Sequence, residues 1–426
     1  MRIQVIGGGL AGVEAAWQLA KADIPVRLSE MKPLRFSPAH QSEDLAELVC
    51  SNSFKAQRVE SAAGLLKEEL RRLGSLCLIA AERARVPAGG ALAVDRDMFS
   101  RAVTEMIEAE PLIELVREEV AELPGEGAVI VAAGPLASDA LADSIQKLCG
   151  SSLHFYDAVA PIIAAESVDM SQAFAASRYD RGGEDDYINC PLAKEEYEAF
   201  HAALVTAERA RTHDFDVYEG CMPIEVLAAR GPDAIRYGPM KPVGLCDPRT
   251  GKRPWAVLQL RKENQAGSMR NLVGFQTNLK FGEQKRVFSM IPALREAEFL
   301  RYGVMHRNTF LDSPRLLGAD FQCGLRPGLF FAGQLTGVEG YMESAGSGLL
   351  AGINAARQLR GQAPFLLPAT TMLGALSHHI SDKSVKNFQP MGANFGLLPP
   401  LDLRIRDKKQ RYEALAQRAL GALDEL

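Results

Sequence analysis

The chain has 426 residues, 47% of them hydrophobic and 24% charged, with a formal net charge of −5 and a pI near 5.9. That length and apolar content predict two or three domains with sizeable cores, and the acidic balance excludes a global basic field, leaving only local basic stretches for nucleic acid. The seven cysteines are never closer than 25 residues, which excludes a CxxC zinc or redox pair and a disulfide framework, and no apolar run reaches the ~18 residues of a membrane span. The first residues already read as a core strand, so no signal peptide is expected, and with the cysteine spacing this points to a reducing, cytoplasmic location and no metal.

Ile3-Gln4-Val5-Ile6 reads as a buried strand, followed by the glycine turn Gly7-Gly8-Gly9-Leu10-Ala11-Gly12 and a helix from Val13 to Ala22. In such a fingerprint the first glycine allows a tight turn, the second lets a pyrophosphate approach the backbone, and the third lets helix and strand pack closely. The helix N-terminus offers free N–H groups to phosphate. Pro25 to Glu30 forms the second strand and ends in an acid, Glu30, placed to bind ribose hydroxyls.

Further along, Val59–Leu73 and Asp95–Glu108 read as amphipathic helices and Ile113–Val116 as a strand. The apolar run Ala128 to Ala133, ending in Gly134, has the character of a buried parallel strand that delivers its glycine to a cofactor. After about residue 150 the βα rhythm lapses, and 178–320 mixes loops with strands such as Trp255–Leu260, the pattern of an inserted domain. The rhythm returns at Leu329–Ala332, followed by Gly333, Gln334, Gly337 and Gly340, then a helix Ser344–Leu359 carrying Gly346, Gly348 and Gly352. Two glycine-rich junctions about 320 residues apart serve one cofactor only if the intervening chain leaves the domain and returns, which favours resident FAD over NAD. From about 366 the tail holds helices and the basic run Arg404 to Arg411.

These elements predict an α/β protein: an FAD-binding, Rossmann-like domain of the glutathione-reductase type (1–180 and 310–426), interrupted by an α+β insertion domain (181–309), with a helical C-terminal tail. Expected cofactor contacts are the glycine turn, Glu30, Asn52, Gly134, Gly333, Gln334, Gly340 and Gly346.

Two cysteines stand out. Cys50 sits among small polar residues read as lying just upstream of a helix, where N–H groups favour a thiolate; Cys221 sits in a glycine-to-proline turn that presents a thiol. Each also fits a small buried hydrophobe. In the insertion, Arg249, Lys252, Arg253, Trp255, Arg261 and Lys262, then Lys280 to Arg286 around Phe281, suit phosphate contact and base stacking and equally suit a solvated face. The stretch Arg301 to Asn308 is polar enough to line a ligand pocket, with His306, Arg307 and Asn308 as its substrate-side candidates, and Tyr341, next to Gly340, joins them.

The chain resembles the folate- and FAD-dependent tRNA (uracil-5-)-methyltransferases, a family related to the MnmG flavoproteins. The resemblance runs through Gly7–Gly12, Glu47–Ser53, Ser177–Asp180 with Asn189-Cys190-Pro191, Glu219–Glu225, Gly238–Leu245, Val273–Thr277, Tyr302–Phe310, Phe330–Gly340 and Asn387–Leu398. Gly-Pro-Met-Lys-Pro-Val-Gly-Leu and Phe-Gln-Pro-Met-Gly-Ala-Asn-Phe-Gly-Leu-Leu-Pro are long, unusual strings. The resemblance implies methylation of C5 of the T-loop uridine, position 54, of tRNA. The one-carbon unit comes from 5,10-methylenetetrahydrofolate, with reduced FAD as carrier and reductant and NAD(P)H as electron source. The family's two essential cysteines fall on Cys221, read as the C6 nucleophile, and Cys50, read as the proton-transfer partner; the reverse assignment stays open. Phe281 stands where the family has Trp, and it stacks with less area and no N–H donor. The same chemistry on a 23S rRNA uridine, and a small-molecule flavin oxidoreductase, are the competing readings.

Overall fold

The computed structural model describes residues 2–150, 152–158, 160–180, 183, 186–210, 222–303, 305–386 and 388–426; for 152–158, 180 and 305–309 only the backbone is described. Five parallel strands form the first sheet, in the order Leu329–Phe331, Val129–Val131, Ile3–Ile6, Val26–Glu30, Ile113–Arg117. Apart from Leu115 and Val116 on the edge strand, their Ile, Val, Leu and Phe side chains are almost wholly buried, as expected of parallel strands covered on both faces. The strand predicted at 329 thus joins the sheet begun at residue 3.

The helix Leu10–Lys21 packs along the long helix Tyr341–Leu359, and glycines set how closely. A Cβ on Gly348 would overlap the Ala11 carbonyl oxygen, and one on Gly352 would lie 2.7 Å from that of Ala15. The long helix starts three residues earlier than its sequence pattern suggests, with Gly340 as N-cap at φ +120. Helices Ala62–Arg72 and Arg96–Glu108 begin one to three residues after their expected starts, because Ser61 and Asp95 are caps whose side chains accept N–H bonds. A small antiparallel sheet, Ser53–Ala56 with Ala91–Val94 and Arg85–Val86, lies beside them.

The second sheet is antiparallel, in the order Phe174–Ala175, Tyr187–Leu192, Ala256–Lys262, Met269–Leu272, Ile162–Ala164, Phe299–Arg301. Its own core gathers Phe200, Phe275, Phe288, Leu258 and Leu260, separate from the core of the first sheet. Ile162–Ala164 and Phe174–Ala175, both before residue 180, pair into this sheet. The ladder between Ser152–Ala158 and Met305–Leu311 pairs the chain leaving the first unit with the chain returning to it. The tail adds helices Met372–Ser381 and Lys408–Asp424. Among the described residues, no helix is long and apolar enough to cross a membrane, and no group of three or more His, Cys, Asp or Glu is placed to hold a metal ion.

Candidate functional site

A cleft of about 1100 Å³, open at its mouth, lies at the C-terminal ends of the parallel strands. It is lined by Gly7 to Ala11, Glu30, Ala132 to Ser138, Gly333, Gln334 and Tyr341, so both glycine-rich junctions face one space. Gly7 takes φ +104, and a Cβ there would lie 2.6 Å from the Ala132 carbonyl oxygen; a Cβ on Gly12 would overlap the Gly7 carbonyl oxygen. Gly9, the N-cap of the Leu10–Lys21 helix, has nothing within 4 Å of where its Cβ would stand. The N–H groups of Leu10, Ala11 and Gly12 have no carbonyl a turn earlier to bond and are donors for an anion. A glycine cradle left open on its ligand side, at a helix N-terminus, fits the pyrophosphate of FAD.

Glu30 is buried, 6% exposed, at the end of its strand. Its carboxylate accepts the N–H of Gly8 at 2.7 Å and that of Lys32 at 2.9 Å. The acid read as a ribose ligand therefore also holds the glycine turn in shape, with remaining lone pairs for ribose hydroxyls. Lys32, His40 and Glu47 line the same end of the cleft. Lys32 is itself buried and donates to the Asp44 carbonyl at 2.6 Å. Sequence reading did not single out these three as contacts, because nothing in their local pattern marks them.

Cys50 is half-buried in the segment that follows the cleft wall. A strand, Ser53–Ala56, and not a helix comes after it, so the expected helix N-terminus is absent there. The local charge has another source. Arg96 donates to the carbonyl oxygens of Leu48 and of Cys50, the latter at 3.0 Å, and Arg301 donates to that of Val49 at 3.2 Å. The Tyr341 hydroxyl accepts the N–H groups of Cys50 at 2.9 Å and Ser51 at 3.1 Å. Three successive carbonyls and two successive N–H groups are thus held by side chains from remote segments.

Burial pulls the Arg96 guanidinium down, but Glu263, then Tyr341 and Cys50, outweigh this and hold it above its ordinary value. Burial, and then repulsion from Arg96, lower Arg301. Arg96 interacts electrostatically with Cys50, and a cation beside a cysteine favours its thiolate. Burial, reinforced by Cys50, raises the Tyr341 phenol well above its usual range, so it remains a neutral hydroxyl. Arg96 was not predicted, since its segment carries no motif, whereas Arg301 opens the polar stretch expected to line a ligand pocket.

The other expected contacts divide. Gly134, Gly333, Gln334 and Tyr341 line the cleft. Asn52 does not: its amide donates to Val94 at 2.9 Å and Lys262 at 3.0 Å and accepts from Arg261 at 3.0 Å, clasping the two units. Gly340 caps its helix, and Gly346 is a packing glycine whose Cβ would lie 2.7 Å from Leu373. Phe281 is 56% exposed and stacks on Tyr302 at 5.0 Å, with Tyr302 on Phe299 at 5.3 Å. His306, Arg307 and Asn308 face Asp157, Tyr156 and Phe155 in the two-stranded ladder. Cys221 lies outside the described residues. On either side of it, Ala210 and Ile224 donate their N–H groups to the carbonyls of Asn278 and Gln276 at 2.7 Å each. Beyond it, buried Glu225 accepts from Thr277 and Asn278 at 2.8 Å each.

A parallel dinucleotide-binding sheet, a glycine-lined cleft and an antiparallel unit set into the chain define a flavoprotein of the GidA type. The family model described as Glucose inhibited division protein A matches residues 2–363. A solved structure of Aquifex aeolicus GidA superposes with a TM-score of 0.73 at 17% identity, covering 100% of this chain and 73% of that one, a likeness of fold. Within this class the chain belongs to the family of the methylenetetrahydrofolate--tRNA-(uracil-5-)-methyltransferases TrmFO. It is 58% identical over 425 residues to the Geobacter sulfurreducens protein of that name, covering 99% of this chain and 98% of that one. It is 59% identical over 426 residues to that of Pelotomaculum thermopropionicum, covering 99% and 97%.

Proposed function

We propose that this chain methylates C5 of a tRNA uridine with the one-carbon unit of 5,10-methylenetetrahydrofolate, using bound FAD and electrons from NAD(P)H. The carrying observation is the Cys50 segment, held on Tyr341 at the wall of the glycine-lined cleft, in a chain similar end to end to proteins named for that reaction. The T-loop uridine, position 54, is the target proposed, and the cytoplasm the location.

Gly7 to Ala11, Glu30, Gly134, Gly333 and Gln334 would hold FAD. When bound, FAD supplies the reducing equivalents and carries the one-carbon unit. Uracil C5 is a poor nucleophile until a thiolate adds to C6 and makes C5 an enolate carbon. Cys221 takes that role in this reading. Cys50, with its thiolate favoured by Arg96, accepts the C5 proton once the new carbon bond is made. Tyr341 fixes the Cys50 backbone, so the thiol's position does not depend on the substrate. Phe281, exposed and already stacked on Tyr302, offers a ring face to a planar ligand.

Trapping with an RNA carrying 5-fluorouridine at the target tests the cysteine roles, because fluorine at C5 does not leave as a proton does. A covalent complex mapped to Cys221, retained in Cys50→Ala and lost in Cys221→Ala with FAD still bound, is expected. RNA attached to Cys50, or no adduct from an active enzyme, overturns the assignment.

A further inference from the structure

The basic residues of the inserted unit are largely occupied within the protein. Arg249 pairs with Asp247 at 2.7 Å, Lys280 with Glu208 at 2.5 Å and Arg286 with Glu283 at 2.6 Å. Arg261 is buried against Asn52 and Ser51. The tail differs. Arg404, Arg406, Lys408, Lys409 and Arg411 are all exposed, and none makes an ion pair among the described residues. Two acids interrupt the run: Asp402 is exposed at the groove's rim, and Asp407 caps the final helix by accepting the Gln410 N–H at 2.8 Å.

These cations border a groove of about 1360 Å³ lined by Phe395, Pro399, Arg404, Arg406, Arg411 and Tyr412. Phe395 and Tyr412 sit ring against ring at 4.4 Å, with Lys408 and Arg411 over the Tyr412 ring at 5.5 and 5.6 Å. Arg418 donates to the Pro399 and Pro400 carbonyls at 2.5 and 2.9 Å, which fixes the proline wall. Unneutralised arginines and lysines beside aromatic faces match the phosphate backbone of a nucleic acid.

The groove is joined to the active-site edge. The segment entering it runs across the start of the Tyr341–Leu359 helix: Met391 donates to the Gly337 carbonyl at 2.8 Å and Ala393 to the Glu343 carboxylate at 3.0 Å. That helix start carries Tyr341, on which the Cys50 segment rests.

We infer that this C-terminal groove, centred on Arg404 and Arg406, is a docking surface for the sugar–phosphate backbone of the tRNA substrate; the inference rests on the proposed function. An acidic protein then needs no basic body to bind RNA, since a local field suffices. Phosphate contacts of this kind position the RNA without reading its sequence.

The double variant Arg404→Glu, Arg406→Glu tests this against an unmodified tRNA transcript, titrated at several KCl concentrations. A loss of tRNA affinity of at least tenfold is expected, with the slope of log K against log salt reduced by about 2. Flavin content, circular dichroism and melting temperature should match the unaltered protein. Affinity and salt slope within error of the unaltered protein overturn the inference. If the unaltered protein binds tRNA and loses binding in the variant, yet methylates no tRNA, the groove stands and the proposed function falls. If the unaltered protein binds no tRNA, both fall.

Discussion

The Tyr341 hydroxyl accepts hydrogen bonds from the backbone of Cys50, at 2.9 Å, and of Ser51, at 3.1 Å, tying together positions separated by 291 and 290 residues. The link joins the second glycine-rich junction to a candidate catalytic thiol, so the cofactor cleft and the cysteine are built as one unit.

Tyr341→Phe leaves two N–H groups of that segment without an acceptor. Each unsatisfied group costs about 1–3 kcal/mol when buried, and these are only half-buried, so the lower end applies. Turnover should fall at least tenfold with flavin content retained, as read by labelled methyl transfer and by the visible absorbance. Unchanged turnover in this variant counts against a positioning role for the phenol.

Glu30→Gln should release FAD. The carboxylate accepts two N–H bonds at once, whereas Gln has one acceptor oxygen and turns an amine toward the other donor. Charge-assisted bonds contribute about 1.5–3 kcal/mol each. Flavin retention should weaken on the order of tenfold to a hundredfold, measured by flavin fluorescence released on dilution. Full retention contradicts the role given to Glu30.

Gly348→Ala pushes a methyl group into the Ala11 carbonyl, between the two helices that carry the cleft. Overpacking of this kind costs about 1–3 kcal/mol, and the displaced helix starts at Tyr341. Urea unfolding should show that loss together with reduced flavin content. Gly125→Ala, with open space around its Cβ, is the control and should stay within about 0.5 kcal/mol.

Glu69 is fully buried and accepts the N–H groups of Met372 and Leu373 at 2.7 and 2.8 Å. Burial raises its pKa from 4.5 to about 7 against those bonds and Arg72. Between these values the folded state holds a proton that the unfolded chain has released, so unfolding free energy falls as pH rises. The contribution is full below pH 4.5 and lost through about pH 7, a span of about 3 kcal/mol. Glu69→Gln should flatten the pH dependence of stability between about pH 5 and 7 in urea melts, and an unchanged slope contradicts the assignment.

Much of the first unit is legible in sequence because local chemistry dictates it. Ile3–Ile6 and Gly7 to Gly12 carry their own strand, turn and helix signals, and Leu329–Phe331 shows a second strand and glycine junction. Spacing alone does not tell a glycine that faces a cofactor from one that lets helices touch. Hence Gly333 lines the cleft while Gly346 meets Leu373. Asn52 lies two residues from Cys50, yet its amide is consumed by bonds to Val94, Lys262 and Arg261, partners no local pattern announces. Arg96 and Arg301 reach the Cys50 segment only through tertiary packing, so their role became visible only in the folded chain. Ile162–Ala164 and Phe174–Ala175, short strands with weak periodicity, are not legible from local pattern.

The measurement that bears most directly on the central claim is reconstitution of methyl transfer with purified protein. An unmodified tRNA transcript and, in a separate reaction, a 23S rRNA fragment are incubated with NADPH and 5,10-methylenetetrahydrofolate labelled in its one-carbon unit, in parallel with labelled S-adenosylmethionine, and the products are digested and mapped. Label is expected in 5-methyluridine at the T-loop position 54, from the folate alone, with none from S-adenosylmethionine. Methyl delivered from S-adenosylmethionine without folate, or label found on a 23S rRNA fragment and not on tRNA, contradicts it.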